Sequence, residues 1–317
     1  MKNMKALLHY SASPGFRRQI AEQQSEWLQV VVVEESDRQT FLHELADTDV
    51  LLHVLEPVSA DDIAQAPRLR LIQKIGVGVN TIDLEAAKKS SVAVANMPGT
   101  NSQAVAELTI MLMLAAGRRA IQLDRATRAG AGWRGEPALF DTMSEIHGKT
   151  IGLVGYGAVP RLLTPVLNAL GAQVLYVALS RKDGVAAEWR ELPDLVARSD
   201  VISLHVPETP DTAGMIDADL IENFRPGAIL INTARGGLVD EAALVDALKF
   251  GQIAAAGLDV FAQEPVDPKN PLLSLDNVVV TPHVAWLTPE TLNRSLVIAF
   301  ENCRRLRDGE DFLHRVI

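Results

Sequence analysis

The sequence predicts an α/β protein of two doubly wound parallel-sheet domains, one inserted into the other. Three observations lead there. Short, β-branched apolar runs alternate with helical stretches along nearly the whole chain, as expected for parallel strands joined by crossover helices. One run enters a glycine turn, Gly155-Tyr156-Gly157, that opens into a helix. Three consecutive late runs each lead into a polar residue: 228–231 into Arg235, 254–258 into Glu264, and 278–280 into His283. Ligands of open α/β sheets bind beyond the carboxyl ends of the strands. One such residue alone would be an ordinary polar strand end; a cation, a carboxylate and an imidazole arriving in succession suggest an acid–base site with an anion clamp.

The elements follow in order. Strands are expected at 5–9, 29–33, 50–54, 71–75 and 92–95, near-continuous apolar runs suited to burial on both faces. Pro98-Gly99 breaks the pattern. Asn101 or Ser102 can cap a long helix from 103 to about 119. Its apolar residues run nearly all the way round, so it should be buried, between domains or subunits. A polar stretch with Gly130, Gly132, Trp133 and Gly135 follows. A second series has strands at 150–154, 173–178, 201–204, 228–231, 254–258 and 278–280. The last helix, 289–307, is expected to return to the first domain. The domains are then 1–98 plus 288–317, and 99–287.

Composition narrows the function classes. At 317 residues the chain suits about two domains. Its net charge of −10, with no long basic run, argues against a nucleic-acid partner. The longest helical apolar stretch, 108–116, is too short to span a bilayer. The single cysteine, Cys303, allows no internal disulfide, which fits a cytoplasmic location. No membrane partner and no metal site are expected.

The glycine turn reads as a dinucleotide site. Gly155 permits the tight turn, and Gly157, with Ala158 and Val159 behind it, lets a pyrophosphate approach the helix N-terminus. Two departures matter. Pro160 replaces the third glycine, tolerable in a first helical turn, while Pro165 should kink the helix or shift its start. The acid that would bind a ribose 2′-OH is missing: Ala178 stands there, followed by Leu179, Ser180, Arg181 and Lys182. Those last three side chains could bind a 2′-phosphate, which favours NADP over NAD; otherwise Arg181 and Lys182 form a solvated loop.

The chain resembles the D-2-hydroxyacid dehydrogenase superfamily, of the phosphoglycerate dehydrogenase and glyoxylate/hydroxypyruvate reductase type. The resemblance covers essentially the whole chain. It rests on Gly76-Val77-Gly78-Val79-Asn80, Asn96-Met97-Pro98-Gly99-Thr100-Asn101-Ser102 with Val105-Ala106-Glu107, and the glycine turn. It continues through Leu204-His205-Val206-Pro207, Asn232-Thr233-Ala234-Arg235-Gly236-Gly237, Gly257-Leu258-Asp259-Val260-Phe261 with Glu264-Pro265, and Thr281-Pro282-His283. It implies a Rossmann cofactor domain inserted in a flavodoxin-like substrate domain. Arg235 would hold the substrate carboxylate, with backbone N–H groups of Gly76, Val77 and Gly78, and His283, paired with Glu264, would be the acid–base residue. Asp259 would sit by the nicotinamide carboxamide, Thr233 and Ala234 by its ribose, and Val105 against its ring. His205, Val206, Pro207, Thr212 and Thr109 complete the expected cofactor contacts. The long helix would form a homodimer interface.

The other histidines read blandly: His9, His43, His147 and His314 as surface or cap residues. His53 ends a strand and could line the substrate cleft, as could Trp286, whose alternative is simple packing. The expected activity is NADPH-dependent reduction of glyoxylate or hydroxypyruvate. Three features shape that choice: no regulatory domain follows, the loop 53–57 carries no Arg or Lys for a substrate phosphate, and Trp286 resembles the reductase branches. A bulkier 2-oxo acid such as phenylpyruvate, or phosphoglycerate, is the enzymatic alternative. A dinucleotide-sensing, corepressor-like binding protein is the alternative of another class.

Overall fold

The computed structural model describes residues 4–134 and 137–317, so Gly135 lies outside the described residues. The chain divides into two compact units: Met1–Asn101 with Trp286–Ile317, and Ser102–Ala285. The unit junctions fall at 101/102 and 285/286, against 98/99 and 287/288 from the sequence.

Unit 1 alternates β1 (Met4–His9), α1 (Pro14–Gln23), β2 (Leu28–Val33), α2 (Arg38–Leu45), β3 (Val50–His53), α3 (Ala60–Ala64), β4 (Leu71–Lys74), α4 (Leu84–Lys89) and β5 (Ala93–Ala95). All strand pairs are parallel, in the order β2-β1-β3-β4-β5. That is the flavodoxin-like order. Oxygen caps set the helix starts: the side chains of Ser13, Asp37, Ser59 and Asp83 each accept a backbone N–H of the first turn.

Unit 2 carries α5 (Ser102–Gly117), α6 (Ala120–Arg128), α7 (Pro137–Phe140), β6 (Thr150–Val154), α8 (Ala158–Ala169), β7 (Gln173–Val177), β8 (Glu188–Trp189) and α9 (Leu192–Arg198). It continues with β9 (Val201–Leu204), α10 (Ala218–Glu222), β10 (Ala228–Asn232), α11 (Glu241–Phe250), β11 (Ile253–Leu258) and β12 (Val278–Val280). Its sheet is parallel throughout, in the order β12-β11-β10-β9-β6-β7-β8. The order reverses between β6 and β9, the switch point where such sheets take their ligands. Six strands were expected; the seventh, β8, is two residues long and has no periodicity to betray it.

Ser102 is the first residue of α5 and not its cap, and the helix ends at Gly117 before Arg119 turns left-handed (φ 53°). Its Leu112, Met113 and Ala116 are buried, while Met111 and Leu114 stay 40% and 43% exposed. The last helix, α12 (Pro289–Asp308), belongs to unit 1. There Asn293 accepts from Gln23 of α1, and Asn302 donates to Gln73 of β4 (2.6 Å). No helix among the described residues is long and apolar enough to cross a membrane.

Candidate active site

The glycine turn sits at the switch point of unit 2. Gly155 has φ 100°, a region L side chains avoid. A Cβ there would lie 2.6 Å from the His205 carbonyl oxygen. The His205 N–H donates to Val154 (2.7 Å), so the ends of β6 and β9 close on each other with no room for a side chain. A Cβ on Gly157, the N-cap of α8, would instead meet nothing within 4 Å. Open space beside a helical N-terminus, with Ala158 and Val159 opening the first turn, fits an incoming pyrophosphate. Pro160 is accommodated in the first turn and buried, its carbonyl accepting from Thr164 (2.8 Å). Pro165 does not shift the start of α8, which runs through to Ala169. It removes one N–H from the helix ladder without ending it.

The loop after β7 is held from both sides. The Lys182 N–H donates to the Tyr176 hydroxyl (2.7 Å), and Lys182 Nζ donates to Ser180 Oγ (2.8 Å). The Arg181 guanidinium lies 4.5 Å over the Trp189 ring. His205 Nε2 meets Ser203 Oγ at 2.9 Å, and burial pulls its pKa down to about 3, keeping the ring neutral. Beyond Val206 and Pro207, Thr212 Oγ1 donates to the Pro207 carbonyl (2.7 Å). Thr109 Oγ1 donates to Val105 (2.7 Å), so the 2.9 Å contact between Thr109 and Thr233 places the Thr233 hydroxyl as donor.

The three polar strand ends are brought together in unit 2. At the end of β10, Asn232 Oδ1 accepts from Ala234 N–H (3.0 Å) and its Nδ2 donates to the Arg235 carbonyl (2.8 Å), bending the chain back. Gly236 then passes so close to the loop after β11 that a Cβ would lie 1.9 Å from the Phe261 carbonyl carbon. Only glycine allows that contact, which seats the Arg235 segment against the Glu264 segment. Phe261 N–H donates to Glu264 Oε1 (3.0 Å), and His283 Nδ1 lies 2.6 Å from Glu264 Oε2. Burial alone would raise the Glu264 pKa. The hydrogen bonds from His283 and Phe261, with the charges of His283 and Arg235, hold it below its ordinary value. An ionised carboxylate only accepts, so Nδ1 carries the proton of this bond and Nε2 is left for exchange.

His283 itself is left-handed (φ 54°), an unfavourable region for a residue with a Cβ. Asp259 holds it there. The His283 N–H donates to the Asp259 carbonyl (2.7 Å). The Asp259 side chain, fully buried, accepts from Thr281 Oγ1 (2.5 Å), Val284 N–H (2.9 Å) and Ala285 N–H (2.9 Å). Burial raises its pKa against those bonds. Both its oxygens accept from the turn that carries His283. Asn232 and the Asp259 brace were missed. An Asn or Asp as the last residue of a strand, or the next one, is the signal that could have found them.

In unit 1, two expectations change. His53 is 2% exposed, with Nε2 on the Glu56 carbonyl (2.8 Å) and near Thr81, so it supports the 53–57 loop from beneath and does not line a surface. Burial and nearby Lys74 lower its pKa to about 3. His9 is buried and stacks on Phe41 (4.1 Å between ring centroids), not on the surface. Trp286 is buried in the core of unit 1, its ring 6.3 Å from that of Tyr10, which favours the packing alternative. The turn at Gly76 (φ 139°), Val77 and Gly78 is pinned through its carbonyls: Asn96 Nδ2 donates to Val77 (2.9 Å) and Met97 N–H to Gly76 (2.8 Å).

A doubly wound nucleotide-type sheet with an imidazole–carboxylate pair at its strand ends defines a dehydrogenase-like class. Residues 110–285 match the family of D-isomer specific 2-hydroxyacid dehydrogenases, in its NAD binding domain. The chain is 38% identical to a glyoxylate reductase of Aeropyrum pernix, covering 86% of this chain and 84% of that one. It is 40% identical to a D-3-phosphoglycerate dehydrogenase of Mycobacterium leprae over 88% of this chain, and spans about half (53%) of that relative's length. Among solved structures, a Thermus thermophilus protein superposes with a TM-score of 0.90 at 32% identity, covering 99% of this chain and 100% of that one. An acyclic imino acid reductase in complex with NADPH and D-Arg (TM-score 0.84, 28% identity) and the Lactobacillus jensenii D-lactate dehydrogenase with NAD+ (0.82, 29%) each cover 99% of this chain and are themselves covered in full. The chain belongs to the D-isomer specific 2-hydroxyacid dehydrogenase family, whose members are oxidoreductases with a nicotinamide-dinucleotide domain.

Proposed function

We propose that this chain reduces a small 2-oxo acid of the glyoxylate or hydroxypyruvate kind to its D-2-hydroxy acid, with NADPH as the preferred cofactor. The observation that carries the reading is the His283–Glu264 pair at 2.6 Å, set beside Arg235 beyond the ends of β10, β11 and β12. The cofactor would be held by the 155–159 turn, by Ser180, Arg181 and Lys182, and by the 205–207 and 233–234 segments with Thr212, Val105 and Thr109; when bound it supplies the hydride. Arg235 grips the substrate carboxylate as a planar fork, which fixes the 2-oxo group in one orientation. His283 Nε2 gives its proton to the carbonyl oxygen, and Glu264 holds the ring in the tautomer and orientation for that step. The loop 53–57 carries no cation, which disfavours a phosphate-bearing substrate.

A panel of 2-oxo acids assayed with NADPH and with NADH tests the whole reading. Turnover of glyoxylate or hydroxypyruvate, with a higher kcat/KM for NADPH, is expected. Binding of dinucleotide without turnover of any 2-oxo acid would favour a sensing protein, and a higher kcat/KM for NADH would remove the NADP assignment. The exposed Met111 and Leu114 of α5, with Ile121 of α6 47% exposed, suit a homodimer interface. Light scattering at the monomer mass would exclude it.

A further inference from the structure

The short edge strand β8 ends in Trp189, and Trp189 makes two contacts with the loop that follows β7. Its indole N–H donates to the Ala178 carbonyl (3.3 Å), at the position where a ribose-binding acid would stand. Its ring face takes the Arg181 guanidinium at 4.5 Å. We infer that Trp189 is a positioning residue for cofactor choice: it holds the exposed Arg181 ready for the 2′-phosphate of NADPH. The inference rests on the NADP reading above.

The physical argument is one of preorganisation. Arginine has a long, rotamer-rich side chain, and ordering it on ligand arrival costs affinity. A guanidinium stacked on an aromatic face is attracted to the ring and has lost that freedom in advance. Stacking uses the π face only. The in-plane N–H groups stay available, and none of them bonds to any described residue. Two further donors are fixed on the same loop. Lys182 Nζ bonds to Ser180 Oγ, which leaves the Ser180 hydroxyl proton and the remaining ammonium protons for an anion. The backbone cannot drift away from Trp189, because the indole N–H grips it at 178 and the Tyr176 hydroxyl grips it at 182. Selectivity therefore depends on a residue outside the loop that reads the phosphate. A swap of the loop alone would carry over the charge but lose its placement.

The test is equilibrium binding to the unliganded protein, followed by fluorescence titration or calorimetry, with NADPH, NADH and adenosine 2′,5′-bisphosphate as probes. Trp189→Leu removes both contacts; Trp189→Phe keeps an aromatic face and loses the N–H. Expected for Trp189→Leu is a loss of roughly 3- to 30-fold in affinity for NADPH and for the bisphosphate, the range of a cation–π contact. NADH affinity should stay within about 2-fold, and Trp189→Phe should restore most of the loss. Equal weakening of NADPH and NADH by both variants would show a general structural role and overturn the inference, as would unchanged NADPH affinity. If the unmodified protein binds NADH at least as tightly as NADPH, the NADP reading itself fails and the inference with it. A wild-type preference for NADPH that is undiminished in Trp189→Leu defeats the inference alone.

Discussion

Asp259→Asn should damage the histidine turn more than the cofactor site. The carboxylate accepts from Thr281 and Val284 on one oxygen and from Ala285 on the other. Asparagine offers one acceptor and one donor. If its oxygen stays with Thr281 and Val284, its amide N–H faces the Ala285 N–H, donor against donor. One charge-assisted bond is lost, worth about 1.5–3 kcal/mol, and a buried N–H is left unsatisfied at about 1–3 kcal/mol. Relief of the burial cost that raises the Asp259 pKa offsets part of this. A net loss of about 2–4 kcal/mol is a large share of a domain's stability of about 5–15 kcal/mol. For a unit the size of Ser102–Ala285, that lowers Tm by roughly 5–15 °C. The left-handed backbone at His283 loses its brace, so kcat should fall while dinucleotide binding to the unliganded protein changes little. Scanning calorimetry and cofactor titration on the same preparation separate the two roles. A wild-type Tm and kcat combined with weakened cofactor binding would refute the bracing argument.

The remaining expectations concern the acid–base pair, the anion clamp and pH. His283→Ala should cut turnover by roughly 10²–10⁴-fold with cofactor affinity kept; undiminished turnover would remove His283 from the chemistry. Arg235→Lys keeps the charge but loses the fork, so KM for the 2-oxo acid should rise steeply and kcat fall; wild-type kinetics would show that no two-point grip exists. The folded pKa values of His53 and His205 are lowered to about 3 from 6.5. The unfolded chain then takes up protons that the native one refuses, so stability is complete above about pH 6.5 and declines as pH falls toward 3. The slope is about 1.4 kcal/mol per pH unit for each ring at its steepest; a Tm that stays level from pH 7 to 4.5 would contradict it.

The alternation of strands and helices was legible because parallel strands covered on both faces are nearly continuous β-branched runs, and 150–154, 201–204 and 278–280 coincide with β6, β9 and β12. Arg235, Glu264 and His283 were legible as strand-end residues, since a short local run points to the rim of the sheet. Contacts that join distant parts of the chain were not. Nothing near His9 in sequence announces that Phe41 will cover it. Trp286 stands three residues after His283, and those three residues suffice to carry the chain from one unit into the core of the other. The commitment of Asp259 to three donors depends on a turn 22 to 26 residues further on. Strand β8 escaped because two residues carry no pattern.

The end of the chain has a consequence for the order of events during synthesis. The main chain at 316 donates to Val94 (2.7 Å), Arg315 bridges Ala95, and Asn302 ties α12 to β4 and to the Leu313 carbonyl. Unit 1 therefore cannot close its outermost strand until its last residues leave the ribosome, although its first hundred residues emerge earliest. Unit 2 is complete in sequence by Ala285. Domains fold as units while the chain emerges at about 5–20 residues per second. The nucleotide-type sheet can thus be finished while β1 to β5 still wait for their final helix. For that interval, the apolar positions of β4, β5 and α1 that α12 and the tail will cover are open to water. The last thirty or so residues act as a clasp, and truncating them should leave unit 2 folded beside an unfinished unit 1.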